Sequence, residues 1–161
     1  DPARFPADYP ELILQPRSDL ETSLKEGPQN PWANAYYGEF LASRGELERG
    51  LAHLEIASLL NPYIGVAPLV RSEILFSLGS EQFGKEALHS STGLALPTAR
   101  HYAKRADLLA SFGEFNLAFS DIEEAIRTNP DQKAFYTERA ESYTILRNSE
   151  SEPLKFVPSV P

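Results

Sequence analysis

The sequence predicts an all-α protein, an α-solenoid made by stacking copies of one helix–turn–helix unit, and three observations predict it. Residues 37–45, 71–79 and 105–113 share one pattern, and a fourth start follows at Arg139, Ala140 and Glu141. The closing glycines, Gly45, Gly79 and Gly113, follow one another at 34 residues, and Asn61-Pro62 and Asn129-Pro130 stand two such periods apart. In the same register Leu41, Leu54, Leu75, Leu88, Leu109 and Ile122 supply the apolar stripe of an amphipathic helix. A lone hairpin of this kind cannot bury its own apolar face, so the copies must stack.

Each element has a sequence reason. Residues 1–16 hold Pro2, Pro6, Pro10 and Pro16 and read as an extended arm, with Phe5, Tyr9, Leu12, Ile13 and Leu14 as its anchors. Residues 17–28 read as a short helix, opened by a capping box at Ser18 and Glu21 and stopped near Gly27-Pro28. Pro28 lies one period before Pro62, so this helix reads as the remnant of an earlier repeat. Residues 29–147 are the repeats with a terminal capping helix, placed from about Ala134 to Leu146. Residues 148–161, with Pro153, Pro158 and Pro161, read as an extended tail anchored by Phe156 and Val157.

Within the repeats, each first helix ends at its glycine, which accepts the left-handed conformation of a C-terminal cap. The Asn-Pro steps end second helices, because the residue before proline is pushed out of helical geometry. Small residues recur where the paired helices must cross: Gly38, Ser72, Ala106 and Ala140 in first helices, Gly50, Gly84 and Ala118 in second ones. They permit interaxial distances near the short end of about 8–10 Å.

A 34-residue period with this punctuation resembles the tetratricopeptide repeat over about residues 29–146. The third copy matches best, through Tyr102, Arg105, Ala106, Leu109, Gly113, Phe115, Ala118, Ile122, Ala125 and Pro130. The first departs at Gly50, where the family prefers alanine. The second is degenerate, with Pro68 early in its first helix, Gly84 and Ser91 for alanine, and Pro97 one residue late. The resemblance implies a right-handed superhelix whose first helices line a concave groove. It also implies that Arg71, Arg105 and Arg139 face a neighbouring helix, with Asp121 the natural partner of Arg105.

In that family the slot after the small crossing residue points into the groove. Here Glu39, Glu73, Asp107 and Glu141 fill it, an acidic ladder, with Ser43, Ser77 and Ser111 one turn on and Phe76, Ala42 and Ala110 between. Rungs on neighbouring helices lie about 8–10 Å apart, and an extended chain advances about 3.3 Å per residue. A ligand with Lys or Arg at every third residue therefore meets several rungs. The opposing reading is that these acids pair with Arg100, Lys104 and other neighbours, or stay solvated, and so contribute little. The carboxylate clamp of chaperone-binding members needs Lys and Asn where this chain has Ala35, Glu39, Leu69 and Ala103, so an acidic chaperone tail is not the expected ligand.

The remaining features narrow the function class. A net charge of −8 argues against sequence-independent nucleic-acid binding, which relies on Lys and Arg. No apolar stretch approaches the roughly 20 residues of a membrane span. With no cysteine there is no disulfide or thiolate metal site, and His53, His89 and His101 share no metal-ligand spacing. No phosphate loop or nucleophile elbow is present, so neither an enzyme nor a cofactor is expected. The chain begins without Met and reads as a processed product, an excised domain or a trimmed chain. Its compartment is not fixed, with a lean toward an exported or periplasmic mature chain over a cytoplasmic one.

The expected function is a scaffold, adaptor or assembly subunit. It would hold a partner protein with a basic or extended segment in the acidic groove, through the arm anchors Phe5, Tyr9, Leu12 and Phe156, or both. The alternatives are a structural subunit of a larger complex held only by its arms, and a regulatory domain of a larger protein.

Overall fold

The computed structural model describes residues 17–151, and among them the only regular structure is helical. In chain order these are α1 (Arg17–Glu26), α2 (Pro31–Ser43), α3 (Leu47–Leu60), α4 (Val66–Ser77), α5 (Glu81–Ser91), α6 (Ala99–Ser111), α7 (Phe115–Thr128), a 3-10 turn (Pro130–Gln132) and α8 (Lys133–Ser151). The arm anchors Phe5, Tyr9, Leu12 and Phe156 lie outside the described residues.

The punctuation acts as its chemistry requires. Gly45, Gly79 and Gly113 adopt φ of 82°, 73° and 76°. Around each, the same pair of bonds closes the helix: Gly45 N–H to Ala42 O and Glu46 N–H to Leu41 O, Gly79 to Phe76 and Ser80 to Leu75, Gly113 to Ala110 and Glu114 to Leu109. That is a Schellman cap repeated three times. Asn61 and Asn129, each before a proline, leave helical geometry at φ −149° and −139°, and α3 and α7 stop there. At the start of α2, Asn30 Oδ1 accepts from the N–H groups of Trp32 (3.0 Å) and Ala33 (3.1 Å), with Pro31 at the first helical position.

The chain divides into two compact units, one ending at His101 and the other beginning at Tyr102. In the first, α2, α3 and α4 share a core of Ala35, Leu54, Ala57, Ile64, Val66, Ala67, Val70 and Ile74. Leu20 of α1 joins Tyr36, Tyr37 and Leu41 in a second cluster. Gly38 and Gly50 make the α2–α3 crossing: a Cβ on Gly38 would stand 2.7 Å from Leu54 Cγ and 3.0 Å from Gly50 O. In the second unit Ala106 and Leu109 of α6 and Ala118, Ile122 and Ala125 of α7 are buried, with Tyr136 and Tyr143 of α8.

The departures from expectation are local. Helix α1 opens at Arg17, which puts Ser18 inside the first turn, and the Glu21 carboxylate accepts from the Tyr37 hydroxyl (2.8 Å). Glu21 therefore ties α1 to α2 where a capping box was expected. Helix α8 runs to Ser151, so the first residues of the segment expected to be extended from 148 are helical; no proline interrupts the chain before Pro153. The degenerate repeat shows as a short second helix. α5 ends at Ser91, and the loop after it turns at Gly93 (φ 75°) and returns over Gly65, where a Cβ would meet Ala95 O at 2.7 Å. Leu96 in that loop is buried, with its side chain packed beside Gly65.

Candidate functional site: the first-helix face

The first helices carry the predicted rungs, and Glu39 and Asp107 are held by side chains of other helices. In the first unit, His101 is buried and its Nε2 lies 3.1 and 3.2 Å from the two carboxylate oxygens of Glu39. The Thr98 hydroxyl stands 2.7 Å from His101 Nδ1 and accepts from the His101 backbone N–H (3.4 Å) as the cap of α6. These contacts leave the Glu39 side chain 24% exposed. Glu73 is half-buried on α4. Phe76 turns its ring onto α5, where a Cβ on Gly84 would meet it at 2.5 Å. The glycine in place of the family's alanine is thus explained, because the ring of Phe76 fills the space a methyl group would take.

In the second unit, Asp107 Oδ1 accepts from the Tyr143 hydroxyl (2.5 Å) and Oδ2 from Arg139 Nη1 (2.6 Å), while the Asp107 side chain stays 45% exposed. Burial, with the bond to Asp107 and its negative charge, pushes the Tyr143 phenol well above its ordinary range. The guanidinium of Arg139 also lies over the Phe135 ring, 5.0 Å from its centroid. Glu141 is exposed on α8. Ser43, Ser77 and Ser111 are exposed, and their hydroxyls donate to backbone carbonyls of their own helices, at Phe40, Glu73 and Leu108. Each keeps acceptor capacity for an incoming donor.

Behind this face, one pair of slots sixteen residues apart joins the hairpins of the first and third repeats. Arg105 and Asp121 form a buried bidentate pair, Nε to Oδ2 and Nη2 to Oδ1, both 2.7 Å, as expected. In the first repeat the same slots hold Tyr37 and His53, edge to face at 4.8 Å. In the second they hold Arg71 and Ala87, so no acid is available, and Arg71 is exposed where a neighbour-facing residue was expected.

His53 has a further tie. The Asn34 amide donates to the carbonyls of Pro28 (3.0 Å) and Asn30 (2.9 Å), so its Oδ1 remains as the acceptor for His53 Nδ1–H at 2.9 Å. Burial, then the nearby Arg49 charge, lowers the pKa of His53 and favours the neutral ring.

Sequence reasoning missed the Thr98–His101–Glu39 chain. Its one signal was Thr98 at a helix start; the 62-residue separation of Glu39 and His101 is no multiple of the period.

This architecture has solved counterparts. Over 80% of its length the chain superimposes on 71% of a thermophilic TPR protein of Thermus thermophilus, with a TM-score of 0.58 and 20% identity. The chain has the tetratricopeptide-repeat fold. A looser likeness, TM-score 0.49 at 16% identity, relates 89% of the tetratricopeptide chain to 91% of MamA. No protein-family model and no curated protein matches the sequence. Among the described residues no helix of these repeats is long and apolar enough to cross a membrane.

Proposed function

We propose that the chain is a non-enzymatic protein-interaction scaffold, an adaptor or assembly subunit that engages a basic or extended segment of a partner with its first-helix faces. The observation that carries this reading is Asp107: a carboxylate fixed by Arg139 and Tyr143 yet nearly half exposed. Each carboxylate oxygen accepts one intramolecular bond and keeps capacity for another. A side chain already held in place loses little rotamer freedom on binding, which favours association. The Arg139 charge works the other way and weakens attraction for a cation, so recognition relies on aligned hydrogen bonds as well as net charge. Glu39, held by His101, is a fixed rung of the same kind, with Glu73, Ser43, Ser77, Ser111 and Glu141 completing the faces, whereas Phe76 is taken up by its packing on α5. No cofactor, metal or nucleic acid enters this reading.

The test is capture of the partner from native extract by the intact chain and by the Glu73→Lys, Asp107→Lys double variant. The reading expects one stoichiometric partner with the intact chain, lost on reversal and lost above about 0.5 M salt, where exposed charges are strongly screened. A partner that survives reversal but disappears when residues 1–16 and 152–161 are removed assigns the contact to the arms, the second reading.

A further inference from the structure

Helix α3 carries an apolar surface that the repeat does not use. Ile56, Leu59 and Leu60 recur at i, i+3 and i+4, so they share one side of the helix, and Tyr63 follows just beyond the helix end, in the turn after Asn61. Leu59 is 79% exposed and Tyr63 56%, with Ile56 and Leu60 each at 40%, whereas Leu54 and Ala57 on the opposite side are fully buried. Exposed apolar side chains gathered on one side of a helix, rather than scattered singly, mark an interaction site.

One flank of the ridge carries Glu48 and Glu55, two turns apart and exposed, and neither has an ion-pair partner among the described residues. Arg49, a cation on this surface, is turned back onto Glu46 and toward the Tyr37 hydroxyl. The ridge is therefore apolar along its crest and negative along one edge.

We propose that this ridge docks an amphipathic helix of a partner protein, with apolar side chains at i, i+3, i+4 and i+7 and Lys or Arg along one flank. Charge selects that occupant. A second copy brings the same Glu48 and Glu55 edge on a chain of net charge −8. Residues 1–16 bring apolar Phe5, Tyr9 and Leu12 but also Asp1, Asp8 and Glu11 against a single Arg4 before Arg17. A partner helix with cations satisfies both crest and edge. The proposal rests on the protein-interaction reading but uses none of the first-helix residues, so the two fail separately.

Two synthetic amphipathic helical peptides with the same Leu pattern, one flanked by Lys and the other by Glu, are titrated against the full chain by fluorescence anisotropy. The Lys peptide is expected to bind about tenfold tighter or better. Leu59→Ser with Tyr63→Ser weakens that binding about tenfold or more. Glu48→Lys with Glu55→Lys transfers the preference to the Glu peptide, and Glu73→Lys leaves it unchanged. Binding that ignores the Leu59 and Tyr63 changes, or a preference for Lys that survives reversal of Glu48 and Glu55, overturns the proposal. So does a dimer in sedimentation that Leu59→Ser with Tyr63→Ser dissociates, which assigns the ridge to a second copy. A tenfold gain in peptide affinity on removing residues 1–16 assigns it to the arm and overturns the proposal as well.

Discussion

Arg105 and Asp121 are both almost fully withdrawn from water, and their two parallel bonds make the third repeat's hairpin depend on the pair. Taking two charges out of water costs several kcal/mol per ion, so the pair fixes geometry more than it adds stability. Removing one partner is different, because it leaves a buried charge uncompensated. Asp121→Ala is expected to lower stability by about 3–5 kcal/mol in urea unfolding, whereas Arg105→Met with Asp121→Leu stays close to the parent. This pair was legible in the sequence because Arg105 and Asp121 occupy slots that the repeat register defines. The Glu39–His101 contact was not, since the short α5 and the loop over Gly65 bring Thr98 and His101 to their places by a route that follows no register. The ladder was legible as a set of positions only: nothing in the sequence said that Asp107 is held by Tyr143.

Among the helices, crossings and ties decide stability. Gly38 sits against Leu54 and the backbone of Gly50, and backbone cannot yield as a flexible side chain can. Alanine in a helix is favoured over glycine by about 1 kcal/mol, but overpacking a crossing costs about 1–3 kcal/mol. Gly38→Ala is therefore expected to lower the urea midpoint despite its better helix propensity, and a raised midpoint would refute the tight crossing.

Helices α2 and α3 also meet through Asn34 and His53. Because burial lowers the pKa of folded His53, the unfolded chain takes up that proton first as pH falls. The contribution is fully present above the ordinary histidine pKa of about 6.5 and is lost as pH drops below it. The thermal midpoint of the parent should thus fall more steeply between pH 7.5 and 5.5 than that of His53→Gln. Helix ends were readable to the residue where glycine or Asn-Pro marks them. Helix α8 was not, because no stop signal stands between Leu146 and Pro153 and the helix continues to Ser151.

For the molecule as a whole, the 34-residue register carried the fold, because each mark is weak alone and the marks agree only in one alignment. The site was less readable for a physical reason. Periodicity places a side chain on a face, but it does not say which neighbour bonds to it there: Arg139 reaches Asp107 from within the register, whereas Glu39 meets His101 across 62 residues. Contact of the first-helix faces with a partner protein is open to direct test. The direct measurement is site-specific photo-crosslinking from Ser43, Ser77 and Ser111, one position at a time, in native extract, with Ser90 on α5 as the control. One common partner is expected to crosslink from the three first-helix positions and not from Ser90. Crosslinks from Ser90 alone, or none from the first-helix serines while the partner still co-purifies, would contradict it.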